Sequence, residues 1–213
     1  KTVHSSGLTV LIYPKKLSTA YVMFSTRYGS LQRTFRLEGE QDFHTVPDGV
    51  AHFLEHKLFE GEDGDAFEKY AVTGASANAY TSFDRTAYLF HATENILPSL
   101  DILLDFVQHP YFTPESVASE IGIIAEEIRE DEDSPWERAY LNLLLALYHK
   151  NPVRKNIVGT VKTIAKITPK LLYKCYDAFY RLDNMALVVC GNITPEAVVA
   201  VADRILPAAR AEK

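Results

Sequence analysis

The run GVAHFLEHKLF contains three side chains with the types and spacing of a zinc site. His52 and His56 are four residues apart, and Glu55 directly precedes His56. Residues three and four apart share one face of a helix, so both imidazoles can point at one position with a carboxylate beside them. Zinc binds neutral imidazole at about 2.0 to 2.1 Å, and a catalytic site keeps three protein ligands and one water. The spacing predicts that His52 and His56 bind Zn²⁺ and that Glu55 activates a zinc-bound water.

The residues around this motif indicate a buried helix. Apolar side chains occupy nearly all its sides: Val50, Ala51, Phe53, Leu54, Leu58 and Phe59. A helix that is hydrophobic all round is a core helix. Two histidines and a glutamate inside it need partners, because burying unpaired polar groups is costly. A structural histidine pair is therefore the weaker interpretation.

The third zinc ligand is predicted in the helix over residues 114–130. Its apolar stripe is Val117, Ile121, Ile124 and Ile128. Glu120 and Glu127 are seven residues apart, nearly two turns, and border this stripe, whereas Glu126 and Glu130 point away from it. We expect Glu127 to be the ligand and Glu120 to orient or support it. A solvated acidic face, typical of a run such as EEIREDED, stays open as the alternative. The remaining histidines are predicted to be structural: His4, His44, His91, His109 and His149.

The order of elements predicts an α+β fold. Strand patterns occur in residues 1–13, 19–26, 74–92 and 185–190, and residues 27–46 are polar and predicted to be a loop. After the metal helix, a short helix over residues 66–72 and one over 96–107 are predicted. Four later helices begin at Ser-Pro or Thr-Pro pairs, and Glu137 predicts a capping box at Ser134. We expect a mostly antiparallel sheet covered on one face by helices.

Residues 74–92 are interpreted as two strands joined near residues 83–85. The small side chains of Ala75, Ser76 and Ala77 leave the backbone open to approach, as a sheet edge that receives another strand requires. Small residues that only pack under a helix are the alternative.

Composition limits the class of protein. The 213 residues, 47% of them apolar, suit one large domain or two small ones. A net charge of −6 disfavours a nucleic-acid partner, and no apolar run approaches the roughly 20 residues of a membrane span. Two cysteines, Cys175 and Cys190, without a C-x-x-C pattern are a usage typical of a reducing compartment, which predicts a cytoplasmic protein; a disulfide between them is the alternative. The first residues do not have the pattern of a signal peptide, and the last seven residues, 207–213 (PAARAEK), are typical of a linker. We therefore expect an excised domain over residues 1–206 and, in residues 207–213, the start of a linker to an absent second half.

Several of these motifs match one known family. The chain resembles the N-terminal half of the pitrilysin (insulinase) family of zinc metallopeptidases, and it is most similar to bacterial members that are uncharacterised. The resemblance rests on GVAHFLEHKLFEG, GASANAYTSFDRTAY, EIGIIAEEI and NPVRKNIVGTVKTIAKIT, followed by MALVVCGNIT. It implies one half of a clamshell peptidase, whose second half closes around an unfolded peptide and contributes an arginine and a tyrosine near the zinc.

The resemblance also implies roles for single residues. His52 and His56 would bind zinc with Glu127, the second glutamate of an E-x6-E pair that begins at Glu120, and Glu55 would be the general base. Peptide would bind as an added strand along the sheet edge that carries the segment Asn78, Ala79, Tyr80, Thr81. The predicted substrate contacts are Ser76, Ala77, Asn78 and Ala79.

These observations predict a zinc-dependent endopeptidase domain for short or unfolded peptides, weak or inactive without its second half. The alternative is a non-catalytic peptide-binding or assembly subunit of a two-chain peptidase, although such members typically lose the metal motif. A third class, lyases of the quorum-signal type, uses an H-x-x-E-H helix with a cysteine ligand. Cys175 and Cys190 fall in a predicted helix and a predicted strand end, which disfavours it.

Overall fold

The computed structural model describes residues 1–37 and 39–207. Its strands are β1 (Thr2–Val3), β2 (Thr9–Pro14), β3 (Ala20–Thr26), β4 (Thr34–Phe35), β5 (His44–Thr45), β6 (Glu60–Gly61), β7 (Gly64–Asp65), β8 (Ser76–Thr81), β9 (Thr86–Ala92) and β10 (Met185–Gly191). Its helices are α1 (Val50–Leu58), α2 (Ala66–Thr73), α3 (Ile96–Gln108), α4 (Pro114–Asp133), α5 (Pro135–Leu147), α6 (Val161–Ile164), α7 (Pro169–Phe179) and α8 (Pro195–Ile205). Short 3₁₀ turns occupy Pro152–Arg154 and Leu182–Asn184.

In the described residues, six strands form one sheet in the order β1-β2-β10-β3-β9-β8. Its neighbouring pairs are antiparallel apart from β2 and β10, which run parallel. A late strand, β10, therefore fills the centre of a sheet that the first strands begin, and β8 forms one edge. The predicted α+β fold with a mostly antiparallel sheet is confirmed.

Side-chain alternation shows which face of the sheet the helices cover. One row of paired residues crosses five strands: Val10, Leu187, Phe24, Tyr88 and Ala79. The first four are at most 1% exposed, whereas the residues directly before and after Phe24 in β3 and Leu187 in β10 are more exposed. Because successive side chains of a strand point to opposite faces, the helices bury only one face.

Helix α1 is held close to neighbouring backbone at its first turn. Gly49, its N-terminal cap, has φ of 97°, a left-handed conformation that favours glycine. A Cβ there would lie 2.6 Å from the carbonyl oxygen of Val158. The helix then packs against β8, β9, α4 and α7 and buries its apolar residues, Val50, Phe53, Leu54 and Leu58 among them. The glycine thus allows the predicted metal helix to sit deep in the fold.

Hydroxyl caps begin the four Pro-initiated helices, as predicted. Thr113, Ser134, Thr168 and Thr194 each accept a hydrogen bond from a backbone N–H of the first turn. The predicted capping box at Ser134 is wrong in one part: the described structure has the bond from Glu137 N to Ser134 Oγ but not the reciprocal one. Complete capping boxes occur instead at Thr113 and Thr160, where a serine or threonine occupies the third helical position.

Other differences from the predicted elements are local. The loop predicted over residues 27–46 contains the short pair β4 and β5, and the short strands β6 and β7 form a hairpin between α1 and α2. Helix α4 continues to Asp133, three residues beyond its predicted end. Neither cysteine, both of which lie in the described residues, forms a disulfide. Within the described residues, no helix has both the length and the apolar composition that a membrane crossing requires. Residues 208–213 of the predicted linker lie outside the described residues.

Candidate metal centre

Helices α1 and α4 bring the predicted metal ligands together. His52 Nε2 lies 3.4 Å from Glu127 Oε1, and His56 Nε2 lies 3.7 Å from Glu127 Oε2. One ligand atom from each of the three residues falls within 4.8 Å of the other two. Among groups of His, Cys, Asp and Glu in the described chain, this is the one cluster of three or more with that geometry.

The arrangement of these atoms fits a zinc ion. Two tetrahedral ligands at about 2.05 Å from zinc are separated by roughly 3.3 Å, close to both observed contacts. Glu127 Oε2 is also buried without a hydrogen-bond partner in the described residues, and such orphaned polar atoms are rare unless a further group completes them. Two imidazoles and one carboxylate are a donor set typical of catalytic zinc, with a fourth position open.

Glu55 lies beside these ligands in a buried position. The residue is 8% exposed, and its Oε2 accepts a hydrogen bond of 2.5 Å from the hydroxyl of Thr81. Among the described residues its Oε1 has no such partner. Burial raises the pKa of the Glu55 carboxyl above its ordinary value, although the Thr81 hydrogen bond and the two imidazoles oppose this effect. A carboxylate with a raised pKa is a stronger base, which suits proton transfer near neutral pH.

Glu120 contacts a different ligand from the one predicted. We expected it to support Glu127, but its Oε1 lies 2.9 Å from His56 Nδ1. Nδ1 can donate this bond and leave Nε2 toward Glu127, which is the arrangement that carboxylate partners impose on metal-binding histidines. Burial alone would lower the pKa of His56, but the hydrogen bond and charge of Glu120, with Glu127 and Glu55, raise it.

The other acids of α4 are arranged as the helical period predicts. Glu127 is half-buried, and its polar contact with His52 lowers the pKa of its carboxyl against the opposing effect of burial. Glu126 and Glu130 are exposed, and Glu126 forms an ion pair with Arg129. The helix therefore presents Glu120 and Glu127, but not their neighbours, to α1.

The predicted substrate contacts lie on the edge strand β8. Ala77 and Ala79 are partly buried and pack against the core, whereas Ser76 and Asn78 are exposed on the other face. The N–H of Ala79 donates to the Asn78 side chain at 2.8 Å. Both interpretations of the small residues therefore hold for the geometry, since they pack under helices and also form a sheet edge. This edge contacts α1, which carries two of the three candidate metal ligands.

The remaining histidines have local partners or lie away from the cluster. Buried His4 contacts Ser6 and Asp203, both at 2.8 Å, and His109 Nδ1 lies 2.9 Å from the Asp105 carbonyl oxygen. In the described residues none of the five joins the metal cluster: His4, His44, His91, His109 and His149.

The sequence analysis missed the contact between Thr81 and Glu55 and the burial of Lys57. Thr81 positions Glu55, and it follows Ala77 and Ala79 on the inward face of β8, a pattern that could have indicated it. Lys57 is fully buried next to His56. A lysine in a helix that is otherwise apolar nearly all round is the corresponding signal.

Comparisons with known proteins found family models, curated relatives and solved structures that resemble this chain. The family model described as insulinase, peptidase family M16, matches residues 44–161, and the model described as the M16 inactive domain matches residues 166–208. An uncharacterised zinc protease of Bacillus subtilis is 49% identical to the chain over 92% of its length and 46% of the relative.

Solved structures give the same assignment. An M16-like peptidase from Alicyclobacillus acidocaldarius superposes with a TM-score of 0.90 at 45% identity, covering 96% of this chain and 49% of that one. The first half of the periplasmic protease PqqL from Escherichia coli superposes with a TM-score of 0.79 at 28% identity, covering all of this chain and 47% of that one.

The fold and the cluster thus define a half-domain of the zinc-peptidase type. The chain belongs to the insulinase family of peptidases, family M16, as the sequence motifs predicted. It spans about half the length of the curated relatives that it matches. Relatives named as zinc proteases support a peptidase role and zinc as the metal.

Proposed function

We propose that this chain is the zinc-binding half of an endopeptidase that hydrolyses short or unfolded peptides. The observation that carries the proposal is the convergence of His52, His56 and Glu127 within 4.8 Å of one another, beside the buried carboxylate of Glu55. His52, His56 and Glu127 would hold the metal. Zinc in such a site supplies Lewis acidity, which lowers the pKa of water that it binds.

The side chains of the protein account for the proton transfers. Glu55 acts as general base, taking a proton from the attacking water at Oε1 and later passing it to the leaving amine. Thr81 holds the other carboxylate oxygen and so fixes the direction of Oε1. Glu120 holds His56 at Nδ1 and sets the orientation of the ring.

We place the peptide as an added strand on the outer edge of β8, along Ser76, Ala77, Asn78 and Ala79. An edge strand offers unpaired backbone N–H and C=O groups to an extended peptide, and these hydrogen bonds do not depend on most of the peptide's side chains. The Ala79 N–H, which now bonds to the Asn78 side chain, points away from β9 and is available once that side chain moves. Such recognition suits unfolded peptides of varied sequence.

A second homologous half, on the same polypeptide or on a separate subunit, would complete the site. The chain covers about half of its relatives, and we propose residues 1–206 as one half-domain. Helix α5 exposes apolar side chains, including Trp136 at 80% and Leu147 at 61%, and exposed apolar patches mark interaction surfaces. Trp136 is the single tryptophan, so its fluorescence reports on this surface. Its emission should shift to shorter wavelength when the second half is added, and an unchanged spectrum would place the interface elsewhere.

The test of catalysis is Glu55→Gln in the complete enzyme. The amide keeps the shape but cannot accept the proton, so cleavage should fall by about 100-fold or more. Zinc affinity and the binding of a fluorescent unfolded peptide should stay near wild type. Turnover close to wild type would refute the role of Glu55. A wild-type protein that contains no zinc yet binds peptide without cleaving it would favour the alternative, a binding or assembly subunit.

The test of the peptide edge is Ala79→Pro. Proline removes one outward N–H, a change that edge strands tolerate because that donor does not pair within the sheet. Peptide affinity should fall while zinc affinity is unchanged. Equal loss of both would indicate a general disturbance of β8, and unchanged peptide affinity would place the substrate elsewhere.

A further inference from the structure

Lys57 is a buried cation next to a metal-binding histidine. It follows His56 in α1, and its side chain is 0% exposed. Lysine is almost never fully buried unless it is paired, because removing an ammonium group from water is costly. Its burial therefore requires a compensating partner, and the identity of that partner determines what Lys57 does.

Two carboxylates compensate the Lys57 charge. Its Nζ forms ion pairs with Glu60 Oε2 and, at 3.9 Å, with Glu120 Oε2, and it has no hydrogen-bond partner in the described residues. The Glu60 side chain is 43% exposed and can be solvated, whereas that of Glu120 is 6% exposed. Water can replace Lys57 at Glu60 but has little access to Glu120. Glu120 is thus the partner that depends on the lysine.

Glu120 divides its two oxygens between Lys57 and His56. Oε2 faces the lysine, and Oε1 lies 2.9 Å from His56 Nδ1. Among the described residues, Lys57 and His56 are the basic side chains within ion-pair distance of this carboxylate. A buried carboxylate with a single imidazole partner would be poorly compensated, because its full charge stays in a region of low dielectric constant.

We propose that Lys57 is a positioning residue for the metal site, which holds the Glu120 carboxylate against His56 Nδ1 so that His56 Nε2 faces Glu127. The row Lys57, Glu120, His56 joins α1 to α4, the two helices that supply the ligands. This inference rests on the proposed zinc-binding function. Removing a group that orients a ligand typically lowers metal affinity 10- to 100-fold, and we expect a loss of that size.

The test compares zinc affinity and thermal stability in variants of the complete protein. Lys57→Met keeps most of the length of the side chain and removes its charge. It should lower zinc affinity about 10- to 100-fold, measured by competition with a chromophoric chelator. It should also change the visible absorption of the cobalt-substituted protein, which reports on ligand geometry. Glu60→Gln is the matched control, because it removes the exposed partner of Lys57 and should change zinc affinity less than about threefold.

A double-mutant cycle with Glu120→Gln distinguishes a positioning role of Lys57 from a purely stabilising one. The neutral amide of Glu120→Gln also removes the uncompensated charge that could unfold the Lys57→Met variant. In the Glu120→Gln background, Lys57→Met should have little further effect on zinc affinity. Equal losses in both backgrounds would overturn the proposal. A Lys57→Met protein that melts earlier but binds zinc as tightly as wild type would also overturn it. A wild-type protein that binds no zinc would instead refute the proposed function on which the inference rests.

Discussion

Replacing Gly49 by alanine should destabilise the fold and weaken metal binding together, because this glycine sets the position of α1. Its φ of 97° costs an alanine about 1 to 2 kcal/mol. The added Cβ would also lie 2.6 Å from Val158 O and 3.0 Å from Ile164 Cγ2. Overpacking of this kind costs a further ~1 to 3 kcal/mol, so the sum is about 2 to 5 kcal/mol.

Gly74→Ala provides a matched control for the contact at Gly49. Gly74 also has a left-handed φ, 77°, but a Cβ there meets no atom within 4 Å. It should therefore show only the conformational cost of about 1 to 2 kcal/mol. In a domain of this size each kcal/mol lowers Tm by about 2 to 4 °C, which calorimetry resolves easily.

The comparison of the two glycine variants has a definite outcome. We expect the decrease in Tm of Gly49→Ala to be at least about twice that of Gly74→Ala. Gly49→Ala should also bind zinc more weakly, whereas Gly74→Ala should keep wild-type zinc affinity. A Gly49→Ala protein with the Tm of Gly74→Ala would refute the reasoning, since it would show that α1 can move away from residue 158 at no cost.

Three further predictions concern thiols, a buried hydrogen bond and a helix cap. Burial raises the pKa of Cys175 to about 11, so its thiolate fraction at pH 8 is about 0.1%. A thiol reagent should therefore modify partly exposed Cys190 much faster than Cys175, as peptide mapping would show. Tyr88→Phe leaves the buried Tyr180 hydroxyl without its partner at 2.8 Å and should lower the free energy of unfolding by about 1 to 3 kcal/mol in denaturant titrations. Replacing both Tyr88 and Tyr180 by phenylalanine should lower it by less than the sum of the two single changes. Thr113→Ala removes the cap of α4 and should cost about 1 kcal/mol by the same assay; no loss would refute its capping role.

The convergence of the candidate metal ligands could be predicted from the sequence because both helices that carry them have a clear period. The spacing of His52 and His56 needs only one helix, and the seven-residue separation of Glu120 and Glu127 places both on the side of α4 that borders the apolar stripe. In the structure Glu120 is buried and Glu127 half-buried, as this period implies. Helical geometry is local, so a single sequence is sufficient to predict it.

The partners across elements could not be predicted in the same way. Glu120 contacts His56 through one oxygen and Lys57 through the other. These contacts depend on how α1 and α4 pack against each other, which a local pattern does not show. The bond from Thr81 to Glu55 depends likewise on the position of β8 beneath α1. The short pair β4 and β5 has only two residues per strand, too few for an alternating pattern to be recognised. The cytoplasmic location stays a prediction from cysteine usage.

The most direct test of the account is zinc binding by the wild type, by Glu127→Ala and by Glu126→Ala. Glu126 is the adjacent residue on α4, exposed and paired with Arg129, so its variant controls for loss of one acidic charge from this helix. We predict about one zinc per wild-type chain, the same for Glu126→Ala, and an affinity at least 10- to 100-fold lower for Glu127→Ala, since even changes behind the ligands cost that much. Wild-type affinity in Glu127→Ala, or a wild-type chain that binds no zinc, would contradict the three-residue site.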